Sequence, residues 1–322
     1  MANGSVSNQH SMLFLMKTSL ISIFCALIAI VIAPTIALAD DIRALTSFAG
    51  EDREPSVSPD GQFIAYLSDR NGDRSNQLWL LDLNTLATSP LVETLLVNSP
   101  ASWHPSGQWL VFAAKELTDQ PETLWQINID GTDLKAVDTG TKVQAHMAPH
   151  ISPDGEWLAY SQLVKAGTSN WDIILQNLIT GERKSIVTNS PYREVWPRFA
   201  QDGKTLSYFS RADTDGGNDE IYRLTLATGK TKRLTHAKGH DFTPATSPNG
   251  PIAFVSNRTG SSMLYLMNRD GSGATQVDTG AFQARQPVWS PDGGQLYFTG
   301  RPNSGGPADI MIMDIPQSFL EN

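Results

Sequence analysis

The stretch Ser290-Pro291-Asp292-Gly293 decides the fold, because the same tetrapeptide pattern recurs along the chain. Its six copies begin at Ser58, His104, Ser152, Ala200, Ser247 and Ser290. The glycines that end successive copies are 46, 48, 48, 47 and 43 residues apart. Proline presets the first turn angle, Asp or Asn bonds to the nearby backbone, and glycine accepts a positive φ, so each copy predicts a tight turn between two strands.

Short apolar runs follow each turn and alternate with further turn signals. The run Phe63-Ile64-Ala65-Tyr66 has a counterpart in every repeat. A third run, such as Leu78-Trp79-Leu80-Leu81, and a more polar fourth run, such as Lys184-Ser185-Ile186-Val187, complete the unit. These runs are too short, and too rich in β-branched and aromatic residues, for helices. Four short strands in about 45 residues are typical of a propeller blade, so the six repeats predict an all-β, six-bladed β-propeller.

The two ends of the repeat array predict how the ring closes. The last repeat stops after its third strand, Ile310-Met311-Ile312-Met313, and lacks a fourth. An orphan strand, Ile42-Arg43-Ala44-Leu45-Thr46, lies ahead of the first repeat and is similar to the fourth strands elsewhere. We expect this N-terminal strand to complete the last blade, because closure removes exposed sheet edges. Residues 40–322 would then form one propeller domain.

Residues 1–39 have the layout of a secretory signal peptide. Lys17 is followed by an apolar run from Leu20 to Ala33, and Ala37 and Ala39 form an A-x-A cleavage site before Asp40. We therefore expect export to the periplasm and no stable membrane span after cleavage, which also removes the only cysteine. The alternative is an uncleaved membrane anchor, because the apolar stretch is nearly long enough to span a bilayer.

Composition and missing motifs limit the functional classes. The chain has 24 Lys and Arg against 33 Asp and Glu, a formal net charge of −9. Nucleic-acid binding is not expected, because neutralising phosphates requires clustered cations. The sequence contains no G-x-S-x-G, H-E-x-x-H or phosphate-loop motif. We therefore expect a non-enzymatic protein without a cofactor.

Three segments carry a resemblance to a known family. Pro287-Val288-Trp289-Ser290-Pro291-Asp292-Gly293, together with Ser68-Asp69-Arg70-Asn71-Gly72 and Ser256-Asn257-Arg258-Thr259-Gly260, resembles the TolB-type (PD40, WD40-like) propeller repeat. The resemblance covers about residues 41–315. It implies a monomeric periplasmic propeller that binds an envelope protein or peptide, with a peptidoglycan-associated lipoprotein as one candidate partner. The family's α/β domain ahead of the propeller has no counterpart between the expected cleavage site and the closing strand.

The expected topology places a candidate binding site at one end of the channel. The first strand of each blade runs beside the axis, so the repeat turns lie on one face, the turn face. Loops that enter the first strands, and loops between second and third strands, lie on the opposite face, the loop face. Eight residues are expected at the channel mouth there: Arg53, Glu54, His146, Arg193, Glu194, His240, Asp241 and Arg285. Convergent polar groups at such a mouth suit partner docking. A solvated rim of compensating charges is the alternative, as is an enzyme site, hydrolase or lyase, for a glycan or peptide.

Metal sites are weakly indicated. The segment from Asp213 to Glu220 resembles a calcium loop only loosely, since its acidic residues are more closely spaced than calcium ligands. The pairs His146/His150 and His236/His240 have i, i+4 spacing, but they fall on predicted strands and loops rather than on a helix. We therefore expect no metal.

Overall fold

Six sheets make up the regular structure of the computed structural model, which describes residues 42–70, 76–116, 120–140, 144–187, 192–212, 214, 217–280 and 282–315. The expected signal peptide, residues 1–39, lies outside the described residues. Every regular element in the described part of the chain is a β-strand. The predicted all-β, six-bladed propeller is confirmed. No helix in these ranges is long and apolar enough to cross a membrane.

The strands are divided among the blades in chain order. Blade 1 contains β2 (Asp52–Val57), β3 (Phe63–Ser68), β4 (Gln77–Asp82) and β5 (Thr88–Val92). Blade 2 contains β6 (Leu96–Val97), β7 (Ser102–Trp103), β8 (Trp109–Lys115), β9 (Thr123–Asn128) and β10 (Lys135–Ala136). Blade 3 contains β11 (His146–Ile151), β12 (Trp157–Leu163), β13 (Trp171–Asn177) and β14 (Arg183–Val187).

The second half of the ring repeats this arrangement. Blade 4 contains β15 (Glu194–Phe199), β16 (Thr205–Ser210), β17 (Glu220–Thr225) and β18 (Lys230–Arg233). Blade 5 contains β19 (Asp241–Thr246), β20 (Ile252–Ser256), β21 (Met263–Met267) and β22 (Thr275–Gln276). Blade 6 contains β23 (Phe282–Trp289), β24 (Gln295–Pro302), β25 (Asp309–Asp314) and the N-terminal strand β1 (Arg43–Ala44).

The repeated tetrapeptides form the turns between first and second strands. In the first copy, Gly61 has a φ of 71° and its N–H donates to the Ser58 carbonyl at 2.9 Å. The Ser58 hydroxyl donates to Asp60 at 2.6 Å and accepts from the Phe63 N–H at 2.9 Å. All six glycines of the pattern have positive φ, including Gly203 of the divergent fourth copy. The turn chemistry predicted from sequence is thus present in every blade.

The N-terminal strand closes the ring as expected. It pairs antiparallel with β25, with Arg43 opposite Ile312 and Ala44 opposite Met311. The regular strand is shorter than residues 42–46, but the contact continues, because the Leu45 N–H donates to the Ile310 carbonyl at 2.7 Å. Leu45 is buried between blades 6 and 1.

Blade 2 differs from the others in its first strand, which is split into β6 and β7. Pro100 lies in the interruption. The other first strands also carry a proline and continue as one strand with a register shift, so the proline alone does not account for the split.

Hydrophobic packing joins the blades. The described residues form six apolar clusters, and each lies between two neighbouring blades. Trp103 and Trp289 also tie blades together, since their indole N–H groups donate to the carbonyls of Ser56 and Ala245 in the preceding blades, at 2.9 and 3.0 Å. This packing gives both tryptophans a structural role.

Candidate functional site

The first strands carry a repeated irregularity at the axis. In five blades the pairing register shifts in the middle of the first strand, as in a β-bulge. The residue at the shift has a φ between 46° and 65° in each case, and it is Glu54, Ala148, Trp196, Thr243 or Gln286. None is glycine, and each precedes a proline, so the conformation is strained. Strain of this kind persists only where the surroundings enforce it.

Neighbouring blades enforce this conformation through hydrogen bonds. The Glu54 N–H donates to the Thr299 hydroxyl of blade 6 at 3.0 Å. The Trp196 N–H donates to the Ser161 hydroxyl of blade 3 at 3.1 Å. An N–H freed by the bulge is therefore satisfied across the blade interface, which holds the bulge in place.

Glu54, one of the eight predicted residues, has a carboxylate with few hydrogen-bond partners. The Gln286 side-chain amide donates to Glu54 Oε1 at 3.4 Å, while Oε2 is buried and has no hydrogen-bond partner. Burial raises the pKa of Glu54 to about 8, and the charges of Arg53 and Arg198 oppose this rise only in part. The Glu54 side chain is therefore protonated in a large fraction of the molecules at neutral pH.

Three other predicted residues lie inside the blades. His146, Glu194 and Asp241 begin the first strands of blades 3, 4 and 5 and are at most 1% exposed. The Asp241 carboxylate pairs with Arg258 at 2.7 Å, and Glu194 accepts from the Ser210 hydroxyl at 3.3 Å. Burial lowers the pKa of His146 to about 4, so its ring is neutral at physiological pH. These side chains are buried within the blades and are not available at the mouth.

The pairing of Asp241 with Arg258 explains the Ser-Asn-Arg segment noted in the sequence. The equivalent residues of blade 1, Asp52 and Arg70, pair at 3.4 Å. The Arg70 guanidinium also lies over the Phe48 ring at 3.5 Å. The motif arginine of each of these loops thus reaches back to a buried carboxylate of its own first strand, which is a structural role.

An aspartate outside the predicted set organises the loop face between blades 4 and 5. Asp219 is buried and pairs with Arg193 Nη2 at 2.7 Å, with Arg211 Nε at 3.1 Å and with His240 Nδ1 at 2.9 Å. The three basic side chains are between 35% and 41% exposed. Burial raises the pKa of Asp219, but hydrogen bonds from Arg193 and Arg211 outweigh that effect and keep it below its usual value. One carboxylate thus positions Arg193 and His240, two of the predicted residues.

Asp219 and its neighbour Glu220 come from the segment that loosely resembled a calcium loop. Glu220 is buried and bonds to Arg233 at 2.9 Å and to Thr235 at 2.5 Å. Both carboxylates are therefore engaged by basic or hydroxyl groups of the described residues. The sequence signal for this cluster was weak: Arg211 precedes Asp219 and His240 follows it, each in a loop.

The remaining predicted residues, Arg53 and Arg285, occupy equivalent positions in blades 1 and 6. Arg53 donates to Asn76 at 2.5 Å. Arg285 is exposed and makes no hydrogen bond or ion pair with the described part of the chain. Both lie one residue before the bulge, at the loop-face end of the axis.

Apolar side chains take the same position across the axis. They are Met147, Val195 and Phe242, in blades 3, 4 and 5. Phe242 contacts Phe209 with ring centroids 6.4 Å apart, and the Arg193 guanidinium lies 5.5 Å from the centre of the Phe209 ring. We call Arg53, Arg193, Phe242 and Arg285 the loop-face mouth. It combines cations from blades 1, 4 and 6 with apolar surface from blades 3, 4 and 5.

Comparisons with known proteins agree with this architecture. The description TolB beta propeller domain (PD40) matches residues 114–321. The chain belongs to this family. It is 27% identical over 229 residues to an uncharacterised protein of Agrobacterium fabrum, covering 70% of this chain and 74% of that one. It is 26% identical over 242 residues to the Tol-Pal system protein TolB of Francisella tularensis, covering 74% of this chain and 54% of that protein. The match thus spans about half the length of the TolB relative.

Solved structures show the same fold. TolB from Acinetobacter baumannii superposes with a TM-score of 0.62 at 18% identity, covering 76% of this chain and 59% of that one. An oligogalacturonate lyase from Vibrio parahaemolyticus superposes with a TM-score of 0.55 at 14% identity, covering 89% of this chain and 97% of the lyase. At these identities the likeness concerns the fold alone.

Proposed function

We propose that this protein is exported and acts as a non-enzymatic binding module of the cell envelope, with its loop-face mouth as the docking surface. The observation that carries the proposal is the composition of this mouth. Arg285 is exposed without a partner among the described residues, and Arg193 is held beside Phe209 by Asp219. Arginine and aromatic side chains are enriched at the energetic centres of protein interfaces. Membership of the TolB propeller family supports an envelope protein as the partner.

The partner's docking segment is expected to be acidic and partly apolar. Arg53, Arg193 and Arg285 present guanidinium groups that suit bidentate pairing with carboxylates. Phe242 and its neighbours offer apolar surface to the same segment. A peptidoglycan-associated lipoprotein is one candidate, and we expect the propeller to act as a monomer.

Charge reversal tests the docking surface. Envelope proteins would be cross-linked to wild-type protein and to an Arg193→Glu/Arg285→Glu variant, and the captured partner would then be titrated as a purified protein. We expect at least tenfold weaker binding by the variant. Lys204→Glu/Lys230→Glu is the matched control. Both lysines are exposed and come directly after turns on the turn face, and the double variant changes the net charge by the same amount. Equal affinity of the loop-face variant and wild type would refute the assignment.

Export is tested separately. A signal peptide of residues 1–39 predicts that the periplasmic protein begins at Asp40. Mass spectrometry of the intact periplasmic protein would determine its N-terminus. Retention of Cys25 in the envelope form would instead indicate an uncleaved anchor.

A propeller enzyme acting on a glycan or peptide, as hydrolase or lyase, is the second candidate. The observation that favours it is the His240–Asp219 pair: Nδ1 lies 2.9 Å from the carboxylate and 3.1 Å from the Asp219 backbone nitrogen, and the tautomer that donates from Nδ1 to the carboxylate leaves Nε2 free to act as a general base. Its test is turnover by the purified protein across polyuronate and peptide substrates, with loss of activity in His240→Ala. Turnover that His240→Ala leaves unchanged would exclude His240 as the base.

A further inference from the structure

A cavity lies on the axis, at the end opposite to the loop-face mouth. It has a volume of about 290 Å³ and extends to the turn face. The prolines of five repeat turns surround its opening, and Gln201 of the divergent fourth copy takes the sixth place. Trp103 and Trp289 contribute to its wall. The cavity is near the lower end of the size range of small-molecule sites, and its walls combine apolar side chains with polar groups.

One cation lines this cavity. Arg198, in the first strand of blade 4, donates from Nη1 to the Pro197 carbonyl at 2.9 Å, and its guanidinium lies 5.3 Å from the centre of the Trp196 ring. No carboxylate of the described residues lies within 4.0 Å of it. A guanidinium has five N–H donors in a planar fork, so most of its donors have no acceptor here. A partly buried charge is normally paired, and Arg198 has no ion-pair partner among the described residues.

The groups around Arg198 do not cancel its charge. Burial lowers the pKa of Arg198 to about 10, which still leaves the group charged at neutral pH. Burial also holds the pKa of His150 well below its usual value, so this neighbour is neutral. Glu54 of blade 1 lies close enough for its charge to act on Arg198, but its raised pKa leaves it largely protonated at pH 7. The cavity therefore carries a net positive charge beside the apolar side chains of its wall.

We propose that the turn-face cavity binds an organic carboxylate, with Arg198 pairing to the carboxylate and the apolar part of the ligand lying against Trp103, Trp289 and the surrounding prolines. The planar fork of the guanidinium matches both oxygens of a carboxylate. The proline and tryptophan walls favour an apolar substituent over a fully hydroxylated one. This site lies at the other end of the axis from the loop-face mouth, so it is independent of the proposed docking function.

Two sources could supply such a carboxylate, the C-terminus of a peptide and a sugar acid. Calorimetric titration of the purified protein at pH 7 would compare N-acetyl-L-phenylalanine, its neutral primary amide and glucuronate. We expect N-acetyl-L-phenylalanine to bind at least tenfold more tightly than the amide. Glucuronate binding more tightly than N-acetyl-L-phenylalanine would keep the carboxylate site and assign it to sugar acids. Equal affinity for the acid and the amide, or no heat from any probe at millimolar concentration, would overturn the proposal.

Variants locate the site. Arg198→Gln should weaken N-acetyl-L-phenylalanine binding at least tenfold, and Arg198→Lys should restore part of it by keeping the charge without the fork. Arg43→Gln is the matched control, because Arg43 is exposed on the outermost strand of blade 6, and it should bind the acid as wild type does. Circular dichroism would show whether Arg198→Gln folds. If it does not fold, the comparison of acid and amide on wild-type protein still shows whether the protein binds a carboxylate. Unchanged binding by folded Arg198→Gln would contradict the assignment.

Discussion

Replacing the poorly supported carboxylate of Glu54 should make the protein more stable at alkaline pH. Its pKa is about 8 in the folded chain, against an ordinary value of 4.5. The folded state therefore holds a proton that the unfolded state releases, and the free energy of unfolding falls as pH rises from about 4.5 to about 8. At about 1.4 kcal/mol per pH unit, the full loss is about 5 kcal/mol. Glutamine does not ionise, so Glu54→Gln avoids this loss.

Urea unfolding followed by tryptophan fluorescence, at 25 °C between pH 5 and pH 9, would measure the effect. The stability of Glu54→Gln minus that of wild type should increase by about 4 kcal/mol over this range, since most of the ionisation penalty is incurred within it. Taking the difference cancels the titration of other groups. Glu93→Gln is the control, because Glu93 is exposed. A difference that stays constant within about 0.5 kcal/mol would refute the account of Glu54.

Three further substitutions test the blades. Gly107→Ala should cost about 1 kcal/mol, because Gly107 has a φ of 72° and open space around it, so backbone strain is the main effect. Arg258→Leu should destabilise by about 3–5 kcal/mol by leaving Asp241 buried and unpaired, and a second change, Asp241→Asn, should recover part of this in the same urea assay. Trp289→Phe should cost about 1–3 kcal/mol, because the Ala245 carbonyl loses its donor, and a melting temperature unchanged by this substitution would argue against the inter-blade hydrogen bond.

The sequence allowed the architecture to be predicted because local chemistry determines it. The turn glycines need positive φ, and an orphan strand such as Ile42–Thr46 has one open sheet edge to fill. The bulges could not be predicted, since Glu54 and Trp196 carry no local signal for positive φ. Their conformation depends on hydroxyl groups of the neighbouring blades, which are distant in sequence.

The candidate site was predictable only in part, for a related reason. Arg193 and Arg285 were predicted at the mouth from their positions in the sequence: Arg193 directly precedes the first strand of blade 4, and Arg285 lies in the first strand of blade 6. Asp241 has a similar place, yet it is buried, because Arg258 of its own blade reaches back to it. Whether a charged residue at a strand entrance faces the channel or the sheet thus depends on its partner, which a single sequence does not reveal.

Photo-cross-linking from the two ends of the axis tests the docking proposal most directly. A photoreactive phenylalanine analogue would be placed at Phe242 in the loop-face mouth, where it keeps the aromatic ring, and at the exposed Gln201 on the turn face. The protein would be expressed with its N-terminal segment in the cell that it comes from and irradiated there. We predict a covalent adduct with an envelope protein from position 242 and none from position 201. An adduct from position 201 alone, or the same adducts from both positions, would contradict the proposal.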